Sequence, residues 1–200
     1  MLNIAVLVSG GGTNLQALLD AEKRGEIRNG KITLVVASKP GVYALQRAAR
    51  AGIEGVIVCK KDHPDQAAFE AALCRELEKR DIGLIVLAGY LTVLSADFVR
   101  RYDHRILNVH PSLIPSFCGD GFYGLRVHEA ALQKGVKVTG ATVHFVNEVT
   151  DGGEIVLQKA VDVLPGDTPE SLQKRVMEEA EWQLLPRAVS LFCEGKLTAE

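Results

Sequence analysis

The sequence predicts a Rossmann-like, doubly wound α/β fold: a mostly parallel sheet, an antiparallel C-terminal hairpin and a long C-terminal helix. Short runs rich in Ile, Val and Leu recur without in–out alternation, as strands do when helices cover both faces of a sheet. Amphipathic segments of helix length separate them, which is the rhythm of β–α–β units. The strand candidates are Asn3–Val8, Ile32–Ala37, Gly55–Cys59, Ile82–Ala88 and Arg105–Val109. The helix candidates between them are Leu15–Glu22, Tyr43–Ala51, Pro64–Arg80 and Ala96–Tyr102.

After Val109 the texture changes. Residues His110–Gly124 form a loop rich in Pro, Gly and Ser, and a helix is expected over Leu125–Lys134. Two longer strands, Val136–Val146 and Glu154–Val163, flank the turn Asn147–Gly153 and read as a hairpin. The final segment, Thr168–Glu194, reads as the long helix, with Thr168 as its N-cap and Pro169 in the first helical position. Pro186 is expected to kink or interrupt it.

At 200 residues the chain fits one domain (1–200) by the rule of about 150 residues each. It divides into an anion-binding half over about residues 1–100 and a catalytic half over about 101–200. The 23 basic and 25 acidic residues give a formal charge of −2, which disfavours nucleic acid or an anionic membrane as a partner. The four cysteines, Cys59, Cys74, Cys118 and Cys193, form no CxxC pair and no zinc pattern, so reduced thiols and a cytoplasmic location are expected. The longest apolar stretch, Ile82–Leu91, is shorter than the ~18 residues of a membrane span. Leu2–Val8 lacks a basic leader and reads as a first strand.

Three motifs point to chemistry. Ser9-Gly10-Gly11-Gly12-Thr13-Asn14 joins the first strand to the first helix. Its glycines permit positive φ and close backbone approach, and the helix start offers free N–H groups to an anion. The pattern is neither a Walker A loop nor GxGxxG, so a single phosphate is expected, with side-chain donors from Thr13 and Asn14. A ligand-free tight turn would use the same glycines. Asn108 and His110 stand two apart at the end of the fifth strand, so their side chains share one side. That places an amide donor for a developing oxyanion beside a group that exchanges protons near neutrality. Asp151-Gly152-Gly153 closes the last hairpin, where an Asp-Gly pair is also the common turn signal. A metal site drawn from His110, His144 and Asp151 lacks any supporting spacing, and none is expected.

These segments, with Leu87-Ala88-Gly89-Tyr90, Asn108-Val109-His110-Pro111-Ser112-Leu113 and Val143-His144-Phe145-Val146, closely resemble the phosphoribosylglycinamide formyltransferase family over essentially the whole chain. The resemblance implies the formyltransferase fold. It implies transfer of a formyl group from the cosubstrate 10-formyltetrahydrofolate to the amine of glycinamide ribonucleotide, a step of purine biosynthesis, without a metal. It implies catalytic roles for Asn108, His110 and Asp151, with Asn108 and a protonated His110 stabilising a tetrahedral intermediate and Asp151 assisting proton relay. Gly12, Thr13 and Asn14 match the loop that holds the ribonucleotide phosphate, and Glu181 matches an acid that contacts its ribose. Leu91, Thr92, Val93 and Leu94, then Val146, Asn147, Glu148, Val149 and Thr150, match segments that enclose the folate together with Asn108.

Thr92 and Gln66 stand where some relatives carry basic residues, Trp182 where many carry His, and Gly119–Tyr123 reads as an insertion. Small-molecule substrates are expected, and monomer and homodimer are both open. Another 10-formyltetrahydrofolate-dependent transferase or hydrolase is the neighbouring alternative. A nucleotide-monophosphate sensor is the non-enzymatic one.

Overall fold

The computed structural model of the chain describes residues 1–197. The last three residues, which the expected domain also spans, lie outside the described residues. Seven strands form one sheet in the order β3-β2-β1-β4-β5-β6-β7. In chain order these are β1 (Leu2–Val8), β2 (Gly30–Ala37), β3 (Glu54–Ile57), β4 (Ile82–Leu87), β5 (Ile106–His110), β6 (Val138–Phe145) and β7 (Ile155–Asp162). The first five are mutually parallel, whereas β6 runs antiparallel to β5 and β7 antiparallel to β6. The expected mixed sheet is therefore present.

The helices are α1 (Thr13–Lys23), α2 (Tyr43–Arg50), α3 (Gln66–Glu78), α4 (Ala96–Arg101), α5 (Leu125–Lys134), α6 (Pro169–Val176) and α7 (Trp182–Cys193). Both sheet faces are covered, which explains the unbroken apolar strands. Along β1, Ile4, Val6 and Val8 join a core with α1, α2, α5, α6 and α7, while Ala5 and Leu7 join a second core with α3 and α4. That is the two-residue period of a strand read from both sides.

Thr168 caps α6 as expected: its side chain accepts from the Ser171 N–H, and the Ser171 hydroxyl accepts from the Thr168 N–H. The interruption expected at Pro186 lies elsewhere. Residues Met177–Glu181 form one π-helical turn between α6 and α7, and Pro186 sits inside the continuous α7. The widened turn, rather than the proline, breaks the helix. Among the described residues, no helix is long and apolar enough to cross a membrane.

Candidate active site

The order of the parallel strands reverses between β1 and β4. Open α/β sheets bind ligands in the crevice at the carboxyl ends of the strands flanking such a reversal. The loops that follow β1 and β4 are tied together there. The Ser9 N–H donates to the Gly89 carbonyl at 3.1 Å, and the Leu91 N–H donates to Ser9 Oγ at 2.9 Å.

In the glycine-rich turn, only Gly12 has positive φ, at 72°. Three glycines are therefore not needed for left-handed backbone. Gly12 is required on two counts, because an added Cβ would also stand 2.7 Å from the Ala44 Cβ of α2. Gly10 and Gly11 face open space, and their carbonyls accept from the Ala44 N–H and the Arg47 Nε. Gly12 occupies the N-cap of α1 with no side-chain cap, so the helix start presents N–H groups to an anion.

Thr13 is exposed at this edge, but Asn14 is not arranged as expected. It is buried, and its Nδ2 donates to Glu181 Oε2 at 2.8 Å. Its donor is taken up by a carboxylate from the π turn rather than turned outward to a phosphate. Burial pushes the Glu181 carboxyl up to about 7, against the lowering effect of the Asn14 bond.

Asn108 and His110 point together, on the sheet face opposite Leu107 and Val109, as their spacing requires. Asp151 reaches them from the hairpin turn. Its Oδ2 stands 3.4 Å from His110 Nδ1 and accepts from the Gly119 N–H at 2.9 Å. Its Oδ1 accepts from Asn108 Nδ2 at 3.5 Å. The Asp151 side chain is only 9% exposed, so the turn aims it inward rather than at solvent. Asp151 has φ 53°, and a Cβ on Gly153 would stand 1.7 Å from the Phe145 carbonyl oxygen. The second glycine lets the turn fold this tightly against β6.

A fourth member is His144, which sequence reasoning placed in a strand and grouped with His110 and Asp151 only as an unsupported metal site. It pairs across the sheet with Asn108, and its Nε2 lies 3.1 Å from Asn108 Nδ2. Its Nδ1 lies 2.8 Å from the Phe145 carbonyl, and its Nε2 also stands 3.6 Å from Asp151 Oδ1. The signal that could have found it is register: opposed residues of an antiparallel pair point the same way.

The charge states follow from the partners. Burial tends to raise the Asp151 carboxyl, but the facing His144, the Gly119 N–H and His110 together hold it below its ordinary value. At His110, burial dominates and lowers the imidazole below its ordinary 6.5, while Asp151 and the Phe117 carbonyl, 2.9 Å from Nε2, act in the opposite sense. The resemblance implies a protonated His110, and burial opposes that charge on the resting ring. It nevertheless has an acceptor at each nitrogen, so a proton added to it meets partners on both sides.

These four side chains line one end of a cavity of about 390 Å³. Its walls include both expected folate segments, 91–94 and 146–150, together with residues Gly119–Tyr123. Thr150 Oγ1 donates to Asp120 Oδ1 at 3.0 Å, and the Gly119 N–H holds Asp151, so this loop closes one wall. Among the described residues, no group of three or more His, Cys, Asp or Glu is arranged to hold a metal ion.

The sheet, the crevice and the amide–imidazole–carboxylate cluster define an acyl-transfer type of site. The formyl transferase family profile matches residues 2–189, and the chain belongs to that family of enzymes. Among its relatives is the phosphoribosylglycinamide formyltransferase of Haemophilus influenzae, 40% identical over 197 residues, covering 98% of this chain and 90% of that protein. The trifunctional purine biosynthetic protein adenosine-3 of Gallus gallus is 44% identical over 194 residues, or 97% of this chain. This chain spans only 19% of that relative's length, and 14% of the corresponding Drosophila melanogaster protein. Among solved structures, glycinamide ribonucleotide transformylase 1 from Symbiobacterium toebii superposes with a TM-score of 0.93 at 43% identity, covering 100% of this chain and 91% of that one.

Proposed function

We propose that the protein transfers the formyl group of 10-formyltetrahydrofolate to the amine of glycinamide ribonucleotide, a step of purine biosynthesis in the cytoplasm. The observation that carries this reading is the convergence of Asn108, His110 and Asp151 at one end of a cavity walled by segments 91–94 and 146–150. Residues 1–200 act as one unit in it. The first half supplies the anion-binding helix start, and the second supplies the cluster and most of the folate wall.

The cosubstrate supplies an electrophilic formyl carbon. The cavity suits it, with apolar side chains such as Leu87, Val99 and Val146 beside exposed loop backbone. Gly12 and Thr13, at the start of α1, receive the ribonucleotide phosphate, while the buried Asn14–Glu181 pair shapes the wall beside it and offers the acid that meets the ribose. Asn108 Nδ2 donates to the carbonyl oxygen as negative charge develops on it. Such a preorganised donor is worth roughly 3–4 kcal/mol in the barrier. His110, neutral at rest, takes up the proton shed by the attacking amine, and the carboxylate of Asp151 then stabilises the imidazolium. The same proton can pass to the departing nitrogen, so the step balances without a metal.

Purified protein given both substrates should release tetrahydrofolate and formylated ribonucleotide in equal amounts. No release, or release at the same rate without the amine, would contradict the reading; the latter would point to a hydrolase.

A further inference from the structure

We propose that Glu70 is a positioning residue that latches the backbone of segment 91–95 in the shape that receives the folate. The inference rests on the reading of that segment as folate wall, and it concerns a residue outside the reacting cluster.

Glu70 lies in the second turn of α3, and only 8% of it is exposed. Its carboxylate accepts from the Ser95 N–H at 2.6 Å and from Gln66 Nε2 at 2.5 Å through Oε1, and from the Ser95 hydroxyl at 2.5 Å through Oε2. Gln66 Nε2 also donates to the Val93 carbonyl at 3.1 Å. Every donor is neutral. A buried carboxylate without a cationic partner is a costly way to fill space, and an apolar residue would pack there without the desolvation cost. What the carboxylate does that an apolar residue cannot is hold several donors in one fixed geometry.

Packing holds the segment only at Leu94, which lies against the second core, and leaves the rest of it unsupported. Leu91 is 62% exposed and Val93 73% exposed, so neither side chain anchors the loop in a core. The loop is fastened at its two ends instead. Ser9 Oγ takes the Leu91 N–H at the start, and Glu70 takes the Ser95 N–H and hydroxyl at the finish. Ser95 transmits the latch further, because the same hydroxyl accepts from the Phe98 N–H as the N-cap of α4, and Val99 of that helix lines the cavity. Gln66 is held within this network, where the resemblance has a basic residue in some relatives. In this chain, the position serves the loop from beneath.

Glu70→Gln replaces one acceptor oxygen by a donor that opposes the donors around it. Steady-state kinetics should show the KM for 10-formyltetrahydrofolate rising about tenfold, with kcat and the KM for glycinamide ribonucleotide within about twofold of wild type. Calorimetric titration with tetrahydrofolate should show a matching loss of affinity. Ser95→Ala, which removes the hydroxyl and keeps the N–H, should move the same constants in the same direction. Ser95→Thr should restore them. If Glu70→Gln unfolds the protein, the Ser95 pair decides the matter.

An unchanged folate KM and affinity in Ser95→Ala, or an equal rise of both KM values, would overturn the latch. Failure of the reaction reading is seen separately, because the wild type then turns over neither substrate while titration with tetrahydrofolate still reads the latch. A wild type that binds no tetrahydrofolate would overturn both.

Discussion

At the residue scale, the site consists of four polar side chains held by one another. His144 Nε2 stands between the Asn108 amide and the Asp151 carboxylate and so ties the two together. Asp151 bridges the amide and His110. Removing the donor, as in Asn108→Ala, should lower kcat by about 100- to 1,000-fold with little change in stability. Asp151 also raises the His110 pKa against the stronger effect of burial. In the Asp151→Asn variant, the His110 ring proton signals should therefore titrate at a lower pH than in wild type, where they already titrate below 6.5. A titration moving upward would contradict the assignment.

Glu181 gives a prediction of the opposite kind. Its carboxyl is raised to about 7 in the fold, so the native state keeps a proton that the unfolded chain releases above its ordinary 4.5. Stability from this group is complete below about 4.5 and is lost as pH rises through about 7. At pH 8, the buried carboxylate costs on the order of 3 kcal/mol. Thermal melts of Glu181→Gln should show its advantage over wild type growing between pH 5 and pH 8.

Much of this was readable from residue types. The spacing of two between Asn108 and His110 was enough to put them on one side. Asp151 was harder, since Asp-Gly is ordinary turn chemistry. What separates it from an ordinary turn is the inward aim forced by Gly153 against Phe145, a contact that sequence does not display. His144 needed cross-strand register, and Asn14 needed the packing of the last helix on the first.

At the element scale, two irregularities shape the site. The hairpin turn between β6 and β7 holds Asp151 at positive φ, and Gly153 lies where no Cβ fits. Gly153→Ala must push the turn away from β6. Urea unfolding should show a loss of several kcal/mol, and turnover should fall with it because the carboxylate leaves the imidazole.

The other irregularity is the π turn Met177–Glu181, which displaces the helix by part of a turn and delivers Glu181 to Asn14 of α1. Insertions of this kind are frequent at functional sites. The sequence pattern gave the helix its correct span and cap, but it drew attention to Pro186. Periodicity over such a long amphipathic segment averages away a single extra residue, so the break was invisible at its true place.

At the scale of the whole molecule, the strands were legible because both faces of the sheet are buried, which writes each strand as a continuous apolar run. Their order was not legible. It arises from crossovers, and the reversal between β1 and β4 is what brings the glycine turn, the folate segment and the end of β5 to one crevice. The reacting groups then come from β5, from β6 and from the turn after β6, elements that assemble only when the sheet is complete.

Groups that work as a unit have losses that do not add. The direct test is the rate of formyl transfer, with both substrates saturating, for His110→Ala, Asp151→Asn and the double variant. The account predicts that each single change slows the step by orders of magnitude and that the double variant is little slower than the worse of the two. A single variant as fast as wild type, or losses that multiply in full, would contradict it.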